Sequence, residues 1–356
     1  MSMTSMLSSK NNINNTFVEL MKEVIPKKED FVAASGNPAF WSKREILCPY
    51  PYKKEDRGDA SLCGIAFDYL ARLMIAQKVK NGESFLNALV SETGVQRIKY
   101  YNPKIYKKAI GEYEKGKKNI KKYLGINQFR PKIFGKRSGK DIDEIIPDVI
   151  YWAKLDALVR GGFFPCDLKQ YLFSKYPQTV FIDLQNLCAI FREKFLPTIN
   201  ENSCIVFNPT FGVGSMLVGG ADGDIYIDGT LYDFKSSKLT GYAWKEVAQI
   251  TGYYYLDRIA KAFNDSSASL HGLTIDRIAF YRARFGEIEY YNISDRGENE
   301  NSKITQQLMK FFGQRSQILN NSPIDSKSSE LSMVSNEEDF MENFFKRYQI
   351  YRNKPF

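Results

Sequence analysis

Apolar residues recur every three or four positions through most of the chain, and alternate with polar ones in a single region. INNTFVELMKEV (13–24) has helical spacing and stops before Ile25 and Pro26. In SLCGIAFDYLARLMIAQKV, Leu62, Ile65, Ala66, Tyr69, Leu70, Leu73 and Met74 recur at three and four, and Asp59 or Ser61 can cap the start. A core helix is therefore expected over 59–80, after an N-terminal helix and loops over 1–58. From 81 to 204 the pattern is mostly helical, with apolar runs DEIIPDVIYWAKLDALVRGG and NLCAIFREKF, and this stretch reads as an insertion or second lobe. Strand character returns at Cys204-Ile-Val-Phe, strengthens at Ser215-Met-Leu-Val-Gly-Gly and runs on through ADGDIYIDGTLYDFKSSK (221–238). A helix, TGYAWKEVAQITGYYYLDRIAKAF, follows, and then IDRIAFYRARFG, whose unbroken apolar character fits an internal strand ending at Gly286. The core thus spans 205–314. Residues 315–338 are rich in Ser, Asn and acids, as a flexible linker would be, before a short helix over 339–356.

The alternating region poses a problem of charge. Asp228-Gly229 is a strong hairpin signal, because a type I′ turn needs positive φ at both central positions. With that turn, Ile227 faces Thr230, Asp224 faces Asp233 and Asp222 faces Lys235, and all four charged groups share one face. Two carboxylates opposite each other repel unless something positive lies between them, and a divalent cation meets that need.

Composition narrows the chemistry. The chain has 356 residues, 43% of them hydrophobic, enough for one large domain with insertions or for two. It has no apolar run long enough to span a bilayer and a polar start without a signal-peptide core, which points to a cytoplasmic protein. The five cysteines, at 48, 63, 166, 188 and 204, form no CxxC pair, so neither a disulfide framework nor a zinc site is suggested. His271 is the only histidine, which excludes mechanisms that need two. Net charge is +9, yet between Arg97 and Lys140 fifteen Lys or Arg meet two Glu, so the basic character is concentrated there. Tyr100, Tyr101, Tyr106, Tyr113, Tyr123 and Phe129 are interleaved with these bases, a mixture that suits a phosphate backbone and exposed bases; a solvated helical face is the plainer alternative.

On the helix after the hairpin, Gln249 and Tyr253 stand one turn apart. Gly219-Gly220-Ala221-Asp222, Asp233-Phe234-Lys235 and Gln249 to Tyr253 together resemble the GxxD, (D/E)xK and QxxxY motifs of the PD-(D/E)xK nuclease superfamily, in particular its RecB-like branch. The likeness covers about residues 205 to 290, with the 59–80 helix as the leading core helix. It implies an α/β fold with a restriction-endonuclease-like αβββαβ core, a mixed sheet flanked by helices. It also implies Mg²⁺ or Mn²⁺ held by Asp222, Asp233 and the Phe234 carbonyl, helped by Asp224. Lys235 would stabilise the attacking hydroxide, while Gln249 and Tyr253 position the strand or the lysine. Asp222 and Asp224 compete for the first-strand role, and GxxD spacing favours Asp222. Many RecB-like members carry histidine on the leading helix where this chain offers Asp68, an acid expected to face solvent.

Function is expected accordingly: a metal-dependent nuclease acting on DNA, or on RNA. Lys107, Lys108, Lys117, Lys118, Lys121 and Lys122 would contact phosphates, and Lys238 a phosphate nearer the site. The alternative is a nuclease-fold nucleic-acid-binding subunit of a larger complex, without turnover. A nucleotide-binding α/β protein is less well matched, since no GxGxxG or GxxxxGK[ST] opens a helix.

Overall fold

The computed structural model describes residues 3–8, 12–87, 89–126, 141–162 and 164–320. The expected helix over 339–356 and linker residues 321–338 lie outside the described residues.

Six strands form one mixed sheet: β1 (Val32–Ala33), β2 (Ile205–Phe207), β3 (Ile225–Ile227), β4 (Thr230–Lys235), β5 (Arg277–Arg282) and β6 (Glu287–Asn292). Their order is β1-β6-β5-β4-β3-β2, with β4 and β5 parallel and the other neighbours antiparallel. Parallel neighbours need a crossover, and α10 (Trp244–Ala262) supplies it.

Helices cover both faces. On one, α3 (Arg57–Lys78), α4 (Val90–Tyr101), α5 (Pro103–Tyr123), α6 (Ile146–Arg160), α7 (Leu168–Phe173) and α8 (Gln178–Lys194) share a core with Ile225, Ile227, Phe234 and Tyr281 of the sheet. On the other, α1 (Met3–Met6), α2 (Asn12–Val24), α10 and α11 (Glu298–Asn320) pack with Tyr226, Leu231, Ile278 and Phe280. Residues 81–204 therefore complete one layer of a mixed α/β fold; their apolar faces are buried against α3 and the sheet. Among the described residues, no helix is long and apolar enough to cross a membrane.

Three expectations about elements are corrected. Ser215-Met-Leu-Val-Gly-Gly belongs mostly to a short helix, α9 (Gly212–Leu217), not to a strand. A brief apolar run suits either state, and here Gly214 lets α9 press on α10, where a Cβ would come within 2.3 Å of the Leu256 carbonyl oxygen. Helix α3 begins at Arg57, before Asp59 and Ser61. Residues 315–320, expected to open the linker, continue α11.

Candidate active site

The hairpin forms where expected. Asp228 and Gly229 have φ of 44° and 85°, and Ile227 pairs with Thr230. The Asp228 carboxylate accepts the Cys204 N–H at 2.7 Å, which ties the turn to the start of β2.

The register does not continue to Asp222. Beyond Ile225 the chain leaves β4 and runs beside 208–210, with Asn208 N–H donating to the Asp224 carbonyl at 3.1 Å and Gly223 N–H to the Pro209 carbonyl at 2.9 Å. Asp222 thus bridges to Thr210 instead of facing Lys235. Its carboxylate is gripped by Arg160 at the end of α6, at 3.2 Å from Nη1 and 2.6 Å from Nη2. The Nε of Arg160 donates to Asp156 at 2.8 Å, and Tyr69 donates to the other Asp156 oxygen at 2.9 Å.

Asp224 lies where the hairpin ladder ends, and its Oδ2 accepts the Phe234 N–H at 2.7 Å. In a strand the N–H and C=O of one residue face the same neighbour, so the Phe234 carbonyl is directed to the Asp224 side. Asp233 and Lys235 share the α10 face with Leu231, and Lys235 Nζ lies 2.6 Å from Asp233 Oδ2. Burial pushes the Asp233 carboxyl up to about 7 against the pull of Lys235, and Asp224 adds repulsion. Burial opposes the Lys235 charge too, but Asp233 and Glu246 outweigh it and hold the ammonium above its ordinary value.

Asp68 belongs to this cluster, contrary to the expectation that it faces solvent. Arg72, one turn along α3, pairs with its Oδ2, while Oδ1 is buried without a hydrogen-bond partner. Burial first, and then Asp224, raise its carboxyl to about 8, with Arg72 opposing. An acid and a base four apart in an otherwise apolar helix were the signal in the sequence: Ala66, Phe67, Tyr69, Leu70, Ala71 and Leu73 leave no solvent face for them. Arg160 carries no such signal, because only the tertiary fold brings the end of α6 to the hairpin.

Gln249 donates to the Tyr253 hydroxyl at 2.8 Å and to Thr4 at 3.3 Å, which leaves the phenol proton free to be donated in turn. Burial, with Asp222 next, raises the Tyr253 phenol, so the hydroxyl stays protonated. Among the described residues, Asp68, Asp156, Asp222, Asp224 and Asp233 thus interact with three cations, Arg72, Arg160 and Lys235. The donors are all oxygen and outnumber their counter-charges, with one orphaned oxygen on Asp68, which fits a hard divalent cation. In this arrangement Lys235 and Arg72 close onto the carboxylates, and no group of three His, Cys, Asp or Glu among the described residues is poised to hold a metal.

The basic lysines separate by environment. Lys104, Lys107, Lys108, Lys115, Lys118 and Lys122 recur at three, four and seven on the exposed face of α5, opposite buried Ala109, Tyr113, Gly116 and Ile120. Lys104 joins the expected set, whereas Lys115 on the same face pairs with Glu112 at 3.5 Å. Lys117 leaves the set: half-buried, it pairs with Glu92 at 3.6 Å and lies against the Tyr113 ring. Lys121 is exposed on the flank of the stripe, and Lys238 lies 5.2 Å from the Tyr50 ring centroid. Lys108 lies 4.1 Å from the Phe173 ring. Part of the basic run, 127–140, lies outside the described residues. No family model, curated protein or solved structure matches the chain.

Proposed function

We propose that the chain is a metal-dependent nuclease that hydrolyses phosphodiester bonds of DNA. The observation that carries this reading is the buried charge imbalance around the hairpin, where Asp68 and Asp233 are pushed up to about 8 and about 7 beside Asp224. Strongly perturbed carboxyls with a specific charged neighbour mark sites built to meet something positive. The chain order helix, three strands, helix, parallel strand supports a restriction-endonuclease-like core, and the lysine stripe on α5 supports a polyanionic substrate.

Asp224, Asp233 and the Phe234 carbonyl would hold Mg²⁺ or Mn²⁺, with Asp68 beside them. When bound, such an ion lowers the pKa of water and offsets charge on the phosphoryl group. Lys235 stays an ammonium, so it donates a hydrogen bond to the attacking oxygen or the phosphoryl oxygens and does not take the proton of water. Tyr253, oriented by Gln249, would donate a hydrogen bond from its hydroxyl to an acceptor at the same edge. Asp222, held by Arg160, has no part in this set, which reverses the order expected from GxxD spacing.

The test is cleavage of labelled linear, circular and single-stranded DNA with Mg²⁺, Mn²⁺ or EDTA. Lys235→Ala should eliminate turnover while DNA affinity stays within about tenfold, since one charge is a small share of a backbone-tracking surface. Turnover that survives in this variant would refute the lysine's role. The second reading, a binding subunit without turnover, is favoured by the ion pairs that close the cluster; DNA binding with no cleavage under any metal would establish it.

A further inference from the structure

Arg160 brings the end of α6 into the hairpin cluster, beside Asp68 and Arg72 of α3. Its guanidinium is held on one side by Asp156, whose side chain is 1% exposed and which Tyr69 also binds. Ser91 N–H donates to that Tyr69 oxygen at 3.1 Å, so the anchor runs through α3 and the start of α4. Arg97 of α4 adds to it by donating to the Leu158 carbonyl at 3.1 Å, just before Arg160. The other side of the fork, Nη1 and Nη2, presents two parallel donors to Asp222, which is 25% exposed, and the arginine side chain itself is 42% exposed. The inner partner is fixed, and the outer one is wet.

A fork anchored through Nε with two Nη donors turned outward matches a carboxylate or the two non-bridging oxygens of a phosphodiester. Asp156 already pairs with Arg160 on the inner side, so Asp222 is a second carboxylate on the same cation. We infer that Arg160 is a phosphate-binding residue of the nucleic-acid site, and that the Asp222 carboxylate occupies its fork until a substrate phosphate displaces it. This rests on the nucleic-acid reading above, and it gives Asp222 a role opposite to that of a metal ligand: it competes with the substrate. The helical layer then contributes a contact to the strand being cut, in addition to the α5 stripe.

Duplex oligonucleotide binding in EDTA, followed by fluorescence anisotropy across a salt series, separates these roles. Asp222→Asn should tighten binding by about tenfold, the worth of one charge-assisted pair released to the phosphate. Arg160→Gln should weaken it and lower the slope of log affinity against log salt by about one unit, with Arg160→Lys between. The double variant should behave as Arg160→Gln alone, because the gain acts only through the arginine. Asp222→Asn leaves Asp156 paired, so it tests the idea even if Arg160→Gln does not fold. Asp222→Asn that binds no tighter than wild type overturns the proposal, as does a gain that persists in the double variant. A gain in affinity for inorganic phosphate, by calorimetry, without a gain for duplex also overturns it. Binding without Mg²⁺-dependent cleavage removes only the nuclease reading, whereas failure of every variant to bind duplex removes both.

Discussion

Two buried polar clusters meet at the end of β4, one residue apart, and they are built on opposite terms. In the first, Asp183 of α8 and Arg284, both 1% exposed, form a two-pronged ion pair at 2.8 and 2.7 Å. The Cys48 and Cys63 thiols donate to the same carboxylate, and Arg284 Nε donates to the Ser236 carbonyl at 2.6 Å. Burial raises the Asp183 carboxyl, but hydrogen bonds and charge from Arg284 more than offset it and hold the acid below its ordinary value. In the second cluster, beginning at the neighbouring Lys235, carboxyls outnumber cations, and burial pushes three of them, Asp68, Asp156 and Asp233, toward neutrality. A buried charge that is fully matched becomes costly only when one partner is removed. One left unmatched is tolerated only where something else completes it.

Neutralising one acid in each cluster should give opposite results. Asp233→Asn should reduce cleavage by more than about 10³-fold, the scale on which single catalytic groups act, and leave stability near wild type. Burial already disfavours the wild-type carboxylate, and Glu246 remains near Lys235 to offset its charge. Asp183→Asn strands the Arg284 guanidinium without its counter-charge and should cost about 3–5 kcal/mol. Urea unfolding at pH 7 in EDTA, set beside a cleavage assay, checks both. A large stability loss in Asp233→Asn would erase the distinction between the clusters.

The pH dependence of stability sharpens the contrast, because the two shifts have opposite signs. Asp68 is raised from 3.8 to about 8, so the folded chain holds a proton that the unfolded chain has released. Stability from this group is full below pH 4 and is lost as pH rises toward 8. Asp68→Asn should therefore gain on wild type between pH 5 and 8 and level off above that, read as thermal midpoints in EDTA. Asp183 is lowered, so its contribution is present above the unfolded value of 3.8 and is lost as pH falls through the folded one. The deficit of Asp183→Asn should accordingly shrink only in acid. A flat difference profile for Asp68→Asn would mean that its carboxyl is ionised throughout.

These charge relations explain what the sequence disclosed. The hairpin, its turn and the pairing of Ile227 with Thr230 were legible, because Asp-Gly and period-two alternation are local. Helices α2, α3, α6, α8 and α10 were legible for the same reason. Strand β6 was not, since Glu287 and Glu289 look like surface residues in EIEYYN; both are buried, and Arg44 and Arg282 pair with Glu289 at 2.8 and 3.0 Å. In the candidate site, the placing of Asp224, Asp233 and Lys235 on the hairpin and of Gln249 and Tyr253 on α10 follows from spacing. Asp68 reads as solvent-facing because a lone acid on a helix usually meets water, and Arg160 has no local signal because its partner Asp222 is 62 residues away, across a contact that depends on how α6 docks. Asp222 departs from the extended hairpin register because the chain changes partners after Ile225.

The same distinction between matched and unmatched charge applies at the surface, with a smaller effect. Lys117 is matched by Glu92 and by the Tyr113 ring, whereas Lys107, Lys118 and Lys122 are exposed on α5 with no ion pair among the described residues. A lysine bound to a carboxylate must give up that partner before it can neutralise a phosphate, so it contributes less to binding and releases fewer counterions. Changing Lys107, Lys118 and Lys122 together to Gln should lower the slope of log DNA affinity against log salt by about 2–3 units, at roughly 0.9 for each phosphate left without its lysine. Lys117→Gln should lower it by less than about half a unit. Discrimination among sequences should hold in both, because such lysines position a strand and do not read it. An equal loss per lysine in the two variants would show that local pairing does not decide which charges the nucleic acid uses. An unchanged slope in the triple variant would move the binding surface off α5, to the edge near Lys238.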